Sequence, residues 1–163
     1  MVNKIALLLP IIVISTIIGI LGLLFIPSEV KNKNLDFSKG TIKIDDKIMN
    51  VEIADSENER QRWLTFRNDR LGPNSGLLLI YDNPDLYSMW LLNIRYPLDL
   101  IWLDQFGNVV YIKENANPCD NILDASVCTF KNTMPAKFIL ATDSGFVSKN
   151  NITDSSRLEL LSI

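Results

Sequence analysis

Histidine is absent from the sequence. That removes Ser-His-Asp triads, Cys-His pairs and His-ligated zinc from what this chain can assemble by itself. Proton transfer near neutral pH would fall to carboxylates, a lysine or a thiol with a shifted pKa. Positive charge is also scarce: 16 Lys and Arg stand against 19 Asp and Glu, for a net charge of −3. No patch of Lys and Arg occurs, so a nucleic-acid partner, whose binding rests on phosphate neutralisation, is not expected. Cysteine is limited to two residues, Cys119 and Cys128. Without histidine these make half a zinc site at best, and neither a metal nor a cofactor is expected.

Charge is missing altogether from one long run. Ile5 to Ile26 carries no ionisable side chain, and as a helix it would extend roughly 33 Å, about the thickness of a bilayer core. Pro10 falls in its first third, where lipid tolerates a kink. A cleaved signal peptide has a shorter apolar region of about 7–15 residues and a small-x-small cleavage site, whereas this run ends Phe25-Ile26-Pro27-Ser28. The expectation is an uncleaved anchor over residues 1–27, meeting the membrane through 5–26, a polar linker over 28–40, and a single domain over 41–163. Lys4 on one flank nearly balances Lys31 and Lys33 on the other, so flanking charge gives little orientation. Cysteine usage gives more. Cys119 and Cys128 lie nine positions apart in PCDNILDASVCTF. A bridge there would contribute roughly 2.5–3 kcal/mol through loop closure and would form in an oxidising compartment; two unpaired thiols are the alternative. With the sequon Asn151-Ile152-Thr153, this places the domain outside the cytoplasm on a single-pass membrane protein.

The remaining chain reads as short strands. TIKI and KIMNVEIA flank the turn Asp45-Asp46, and Ser56 with Glu59 forms a capping box at the start of ENERQRWLTF. Further strand candidates are Gly76–Tyr81, Leu86–Leu92, Leu98–Asp104, Val109–Glu114, Lys137–Thr142 and Arg157–Ser162, with a hairpin turn at Gln105–Asn108 and a short helix after Asp143. The pattern predicts a mainly β domain, an antiparallel sandwich or barrel with one or two short helices, preceded by a single transmembrane helix.

The segment SMWLLNIRYPLDLIWLD, Ser88 to Asp104, has the apolar density of buried strands yet carries Asn93, Arg95, Pro97 and Asp99. Burying such groups without partners costs several kcal/mol. Asp99 shares a strand face with Ile101 and Leu103 and needs a donor, for which Arg67 and Arg95 are the candidates. Two readings follow. In one, a polar cluster fixes the loop between core strands; in the other, Arg67, Trp90, Asn93 and Asp99 wall a ligand cleft.

These residues also carry a family likeness. Glu52, Ala54, Glu59, Arg60 and Arg67 precede GLLLIYD; MWLLNIRYPLDLIWLD, VVYIKENANPC and AKFILATDSG follow. The order resembles the domain of unknown function 192 family from about Thr41 to Ile163, most specifically at Trp90, Asn93, Pro97, Leu98 and Asp99. The resemblance implies a compact, jelly-roll-like β domain and supplies no activity. It places an arginine at Arg67, which puts Arg67 ahead of Arg95 as the partner of Asp99. Where the family has Gly-Leu-Met this chain has Trp63-Leu64-Thr65, which suggests Trp63 as an exposed contact. The function expected is a binding module for a protein or an envelope component. The rivals are a small hydrolase or lyase using Asp99 as base with Arg67 as electrostatic stabiliser, and an accessory subunit of a membrane complex.

Overall fold

A computed structural model of the chain describes residues 4–24, 37–119, 121, 123 and 125–163. The chain divides into two units, 1–34 and 35–163.

In the first unit, Lys4–Leu24 is an α-helix (α1) with Pro10 inside it. The hydroxyls of Ser15 and Thr16 donate back to the Ile12 carbonyl at 3.0 and 2.6 Å, the usual way a helix accommodates such side chains. Among the described residues, no helix is long and apolar enough to cross a membrane. The expected transmembrane helix over 5–26 is corrected accordingly. Residues 25 and 26 of the expected anchor, and most of the 28–40 linker, lie outside the described residues.

The second unit is built on β1 (Ser38–Ile44), β2 (Lys47–Ala54), α2 (Glu57–Arg62), β3 (Ser75–Asp85), β4 (Ser88–Trp90), β5 (Leu98–Leu103), β6 (Val109–Ala116), β7 (Thr129–Lys131), β8 (Ala136–Asp143), α3 (Phe146–Asn150) and β9 (Leu158–Ser162). Seven strands form one sheet in the order β6-β5-β8-β3-β2-β1-β9, and β4 pairs with β7 in a separate ribbon. The expected all-antiparallel sheet is not found: β2 and β3 run parallel, from Asn50↔Ser75 to Ala54↔Leu79. The cause is the connection between them, since a chain that crosses over through α2 re-enters the sheet in the same direction. The domain is therefore mainly β with a mixed sheet.

That sheet curls until its edge strands approach, with a bridge from Asn108 to Arg157 and a hydrogen bond from Leu158 N–H to the Gly107 carbonyl at 2.8 Å. One face closes on a core including Ile42, Ile44, Val51, Leu78, Ile101 and Leu140, sealed by Phe146 and Val147 of α3. The other face is covered by residues 63–71 and 89–96, through Trp63, Leu64, Leu71, Met89, Leu91 and Tyr96. Strand β5 lies between these two cores and is buried at every position, which explains its apolar character apart from Asp99. The capping box of α2 is present, with Ser56 Oγ accepting from Glu59 N–H and the Glu59 side chain accepting from Ser56 N–H.

Candidate functional site

Pro97 delivers the chain into β5, and the next polar residue, Asp99, is completely buried. Its donors are backbone amides. Oδ1 accepts from Asn115 N–H at 2.8 Å and Oδ2 from Val147 N–H at 2.8 Å. The arginine expected opposite Asp99 is elsewhere. Arg67 forks onto Glu52, with 2.6 Å to Oε2 and 2.9 Å to Oε1, and that bond, opposed by partial burial, holds the guanidinium pKa above its ordinary value. Arg95 is exposed. A short helix can take its first N–H partners from any nearby carboxylate. Here Asp99 serves α3 from 48 positions away, and Asp143, the expected cap, receives Arg70 Nε at 3.1 Å instead.

Trp90 and Asn93 lie together on a surface that neither Asp99 nor Arg67 lines. Both line an open groove of about 650 Å³ bounded by α2, the end of β3, and residues 87–93. Its shape follows from local structure. Alternation along β4 buries Met89 as the floor and turns Ser88 and Trp90 outward, leaving Trp90 40 % exposed. At one end, Asn93 and Phe66 both adopt left-handed backbone, with φ of 62° and 61°, and Phe66 N–H donates to the Asn93 carbonyl at 2.8 Å. Asn tolerates this conformation and Phe does so at a cost of about 1–2 kcal/mol. Among the described residues, neither the Trp90 indole N–H nor the Asn93 side-chain amide has a hydrogen-bond partner.

The opposite wall is aromatic, and sequence reasoning missed it. Tyr81 and Tyr87 stack with ring centroids 3.6 Å apart. The Arg60 guanidinium also lies over the Tyr81 ring, 5.1 Å from its centroid, and donates to the carbonyls of Ile80, at 2.8 Å, and Asp55. Burial pushes the Tyr81 hydroxyl up to about 12, although the Arg60 charge opposes this. Tyr87 is also raised, first by burial and then by the Asp85 carboxylate. The available signal was Tyr81 closing the apolar run GLLLIY, but a stack six positions apart depends on how residues 82–86 turn, which no periodicity specifies. Trp63, expected as an exposed contact, is buried with a relative exposure of 7 %. It takes the α2 C-cap with φ 20° and ψ −113° and supports the groove from within.

The disulfide Cys119–Cys128 is formed and fastens the remaining wall. Leu91 N–H donates to the Cys128 carbonyl at 3.1 Å, and Cys119 N–H donates to the Leu91 carbonyl at 3.2 Å. The bridged loop thus brackets Leu91, between Trp90 and Asn93. A second hollow of about 410 Å³ lies over Gly40, Gly76 and Glu52, where the Glu52 carboxylate is taken by Arg67. Among the described residues there is no group of three or more potential metal ligands.

The model of the domain of unknown function 192 family, described as "Uncharacterized ACR", matches residues 40–160. No curated protein matches the chain. Two crystal structures share the fold. A candidate transcription regulator from Sinorhizobium meliloti 1021 is 23 % identical with a TM-score of 0.69, covering 78 % of this chain and 97 % of its own. A protein of unknown function from Novosphingobium aromaticivorans DSM 12444 is 23 % identical with a TM-score of 0.64, covering 76 % and 84 %. At this identity the likeness concerns the fold alone.

Proposed function

The chain belongs to the domain of unknown function 192 family, and from that premise we propose that its β domain is a ligand-binding module of an oxidising compartment, with the Trp90 groove as its binding surface. The observation that carries this reading is a division of labour among the polar residues. Asp99 and Arg67 spend their bonding capacity inside the protein, while Trp90 and Asn93 present unpaired groups to an open groove of ligand size. A general base must reach the proton it removes, and Asp99 has no exposed surface. The rival of a hydrolase or lyase built on Asp99 and Arg67 is therefore the weaker reading. The disulfide supports an oxidising environment.

A protein-observed NMR screen of the full chain against a library of neutral, cationic and anionic fragments tests the reading. Binders should shift the resonances of Trp90, Asn93 and Met89, and Trp90→Ala should lose them. Binders that cluster around other residues, with the groove unperturbed, would sink it.

A further inference from the structure

Resting on the groove as the binding surface, we propose that its ligand is a neutral saccharide chain, held by stacking on Trp90 and by hydrogen bonds from the surrounding amides and carboxylates. Each ligand chemistry makes its own demand on the groove. An anionic ligand needs a free cation. Arg60 is the cation in the lining, and its guanidinium is engaged by the Tyr81 ring and by two backbone carbonyls. A cation held by aromatic faces needs them free and converging on one point. Tyr81 is already stacked on Tyr87 at 3.6 Å and has the Arg60 guanidinium 5.1 Å from its ring centroid, and the Arg60 charge repels a second cation there. A purely apolar ligand would leave the side-chain amides of Asn83 and Asn93 without partners in a covered groove.

With the Arg60 charge set against the two carboxylates of Glu57 and Asp82 in the lining, the groove best suits a neutral molecule with many hydroxyls and one apolar face. The side-chain amides of Gln61, Asn83 and Asn93 both donate and accept, and the carboxylates of Glu57 and Asp82 accept from hydroxyls. An indole face carries negative potential and draws the polarised C–H groups on the flat side of a sugar ring. Trp90 supplies such a surface at 40 % exposure, and the groove is open to solvent, as a chain longer than a single ring requires. Its volume of about 650 Å³ lies within the usual range for small-molecule sites, about 300–1,000 Å³.

The test is an NMR titration of the full chain with three neutral trisaccharides: a β-1,4-linked N-acetylglucosamine trimer, a β-1,4-glucan trimer and an α-1,4-glucan trimer. Tetramethylammonium and inorganic phosphate are run as charged probes. At least one trisaccharide should shift the Trp90 indole and Asn93 amide signals, with little dependence on salt. Trp90→Ala should weaken it about tenfold or more, Trp90→Phe should retain most of the affinity, and both variants should keep the wild-type spectrum elsewhere. Tetramethylammonium or phosphate shifting these signals while no trisaccharide does would overturn the saccharide assignment. So would a trisaccharide that shifts only residues outside the groove. If no trisaccharide binds but other library fragments still perturb Trp90, the ligand class is refuted and the groove as binding surface survives. Silence of the groove toward every compound refutes both.

Discussion

Each oxygen of the Asp99 carboxylate holds one backbone N–H, one at the end of β6 and one in the first turn of α3. An amide in its place offers one acceptor and turns an N–H₂ toward the second donor. Asp99→Asn should therefore destabilise the domain by about 2–4 kcal/mol, from hydrogen bonds to a charged, buried acceptor, as measured by denaturant unfolding. Arg67→Met should cost about 1 kcal/mol or less, because its pair with Glu52 is partly solvated. The two losses should add rather than cancel; rescue in the double variant would mean that Arg67 and Asp99 interact after all. Tyr81 gives a pH signature. Its hydroxyl is raised from an ordinary 10 to about 12 in the fold, so its neutral form is favoured there. This contribution to stability is fully present below pH 10 and is lost as pH rises through about 12. Spectrophotometric titration should find a last-ionising tyrosine near pH 12 that is absent in Tyr81→Phe. At this scale the sequence showed that Asp99 needs a donor, but it pointed to partial burial where the structure buries the residue completely. It could not name the donor, because backbone amides of distant segments carry no residue-type signal.

Strand closure depends on Gly107. It has φ of +83°, and a Cβ there would lie 2.1 Å from the Leu158 carbonyl oxygen. Gly107→Ala should push β9 from the β5–β6 hairpin and destabilise the domain by about 2–4 kcal/mol, with amide exchange rising first at Leu158 and Val109. The disulfide acts on a different element. Removing it with Cys119→Ser and Cys128→Ser should cost roughly 2.5–3 kcal/mol through loop entropy. It should also speed amide exchange at Leu91 and Cys119 well before β5 or β8 opens. Equal protection of Leu91 with and without the bridge would show that the loop does not fasten the groove wall. Most strands, the α2 capping box and the Gln105–Asn108 hairpin were legible, since alternation, capping and turn chemistry are local. Two elements were not. β7 has three residues, too few for a period, and residues 86–92 contribute a strand only over Ser88–Trp90 because the chain then leaves the ribbon to cover the sheet.

For the whole molecule, the mixed sheet places its two cores on opposite faces of β3, β5 and β8, and only the outer covering bears an aromatic, polar groove. The parallel β2–β3 pair was not legible, because a crossover of 20 residues reads in sequence like a helix and a loop between antiparallel neighbours. The candidate site divided for a related reason. Sequence proximity held Trp90, Asn93 and Asp99 together, whereas Pro97 turns the chain from the surface into the core between them. On the proposed reading the first two bind ligand and the third is structural. The direct measurement is the ligand-induced rise in melting temperature, taken on wild type, Trp90→Ala and Asp99→Asn with the trisaccharide that shifts the Trp90 signal. At a hundredfold excess over Kd a ligand stabilises the fold by about 2.7 kcal/mol. Wild type and Asp99→Asn should show the same rise from different starting temperatures, and Trp90→Ala should show almost none while melting close to wild type. A rise that persists in Trp90→Ala and disappears in Asp99→Asn would contradict the account and return the site to Asp99.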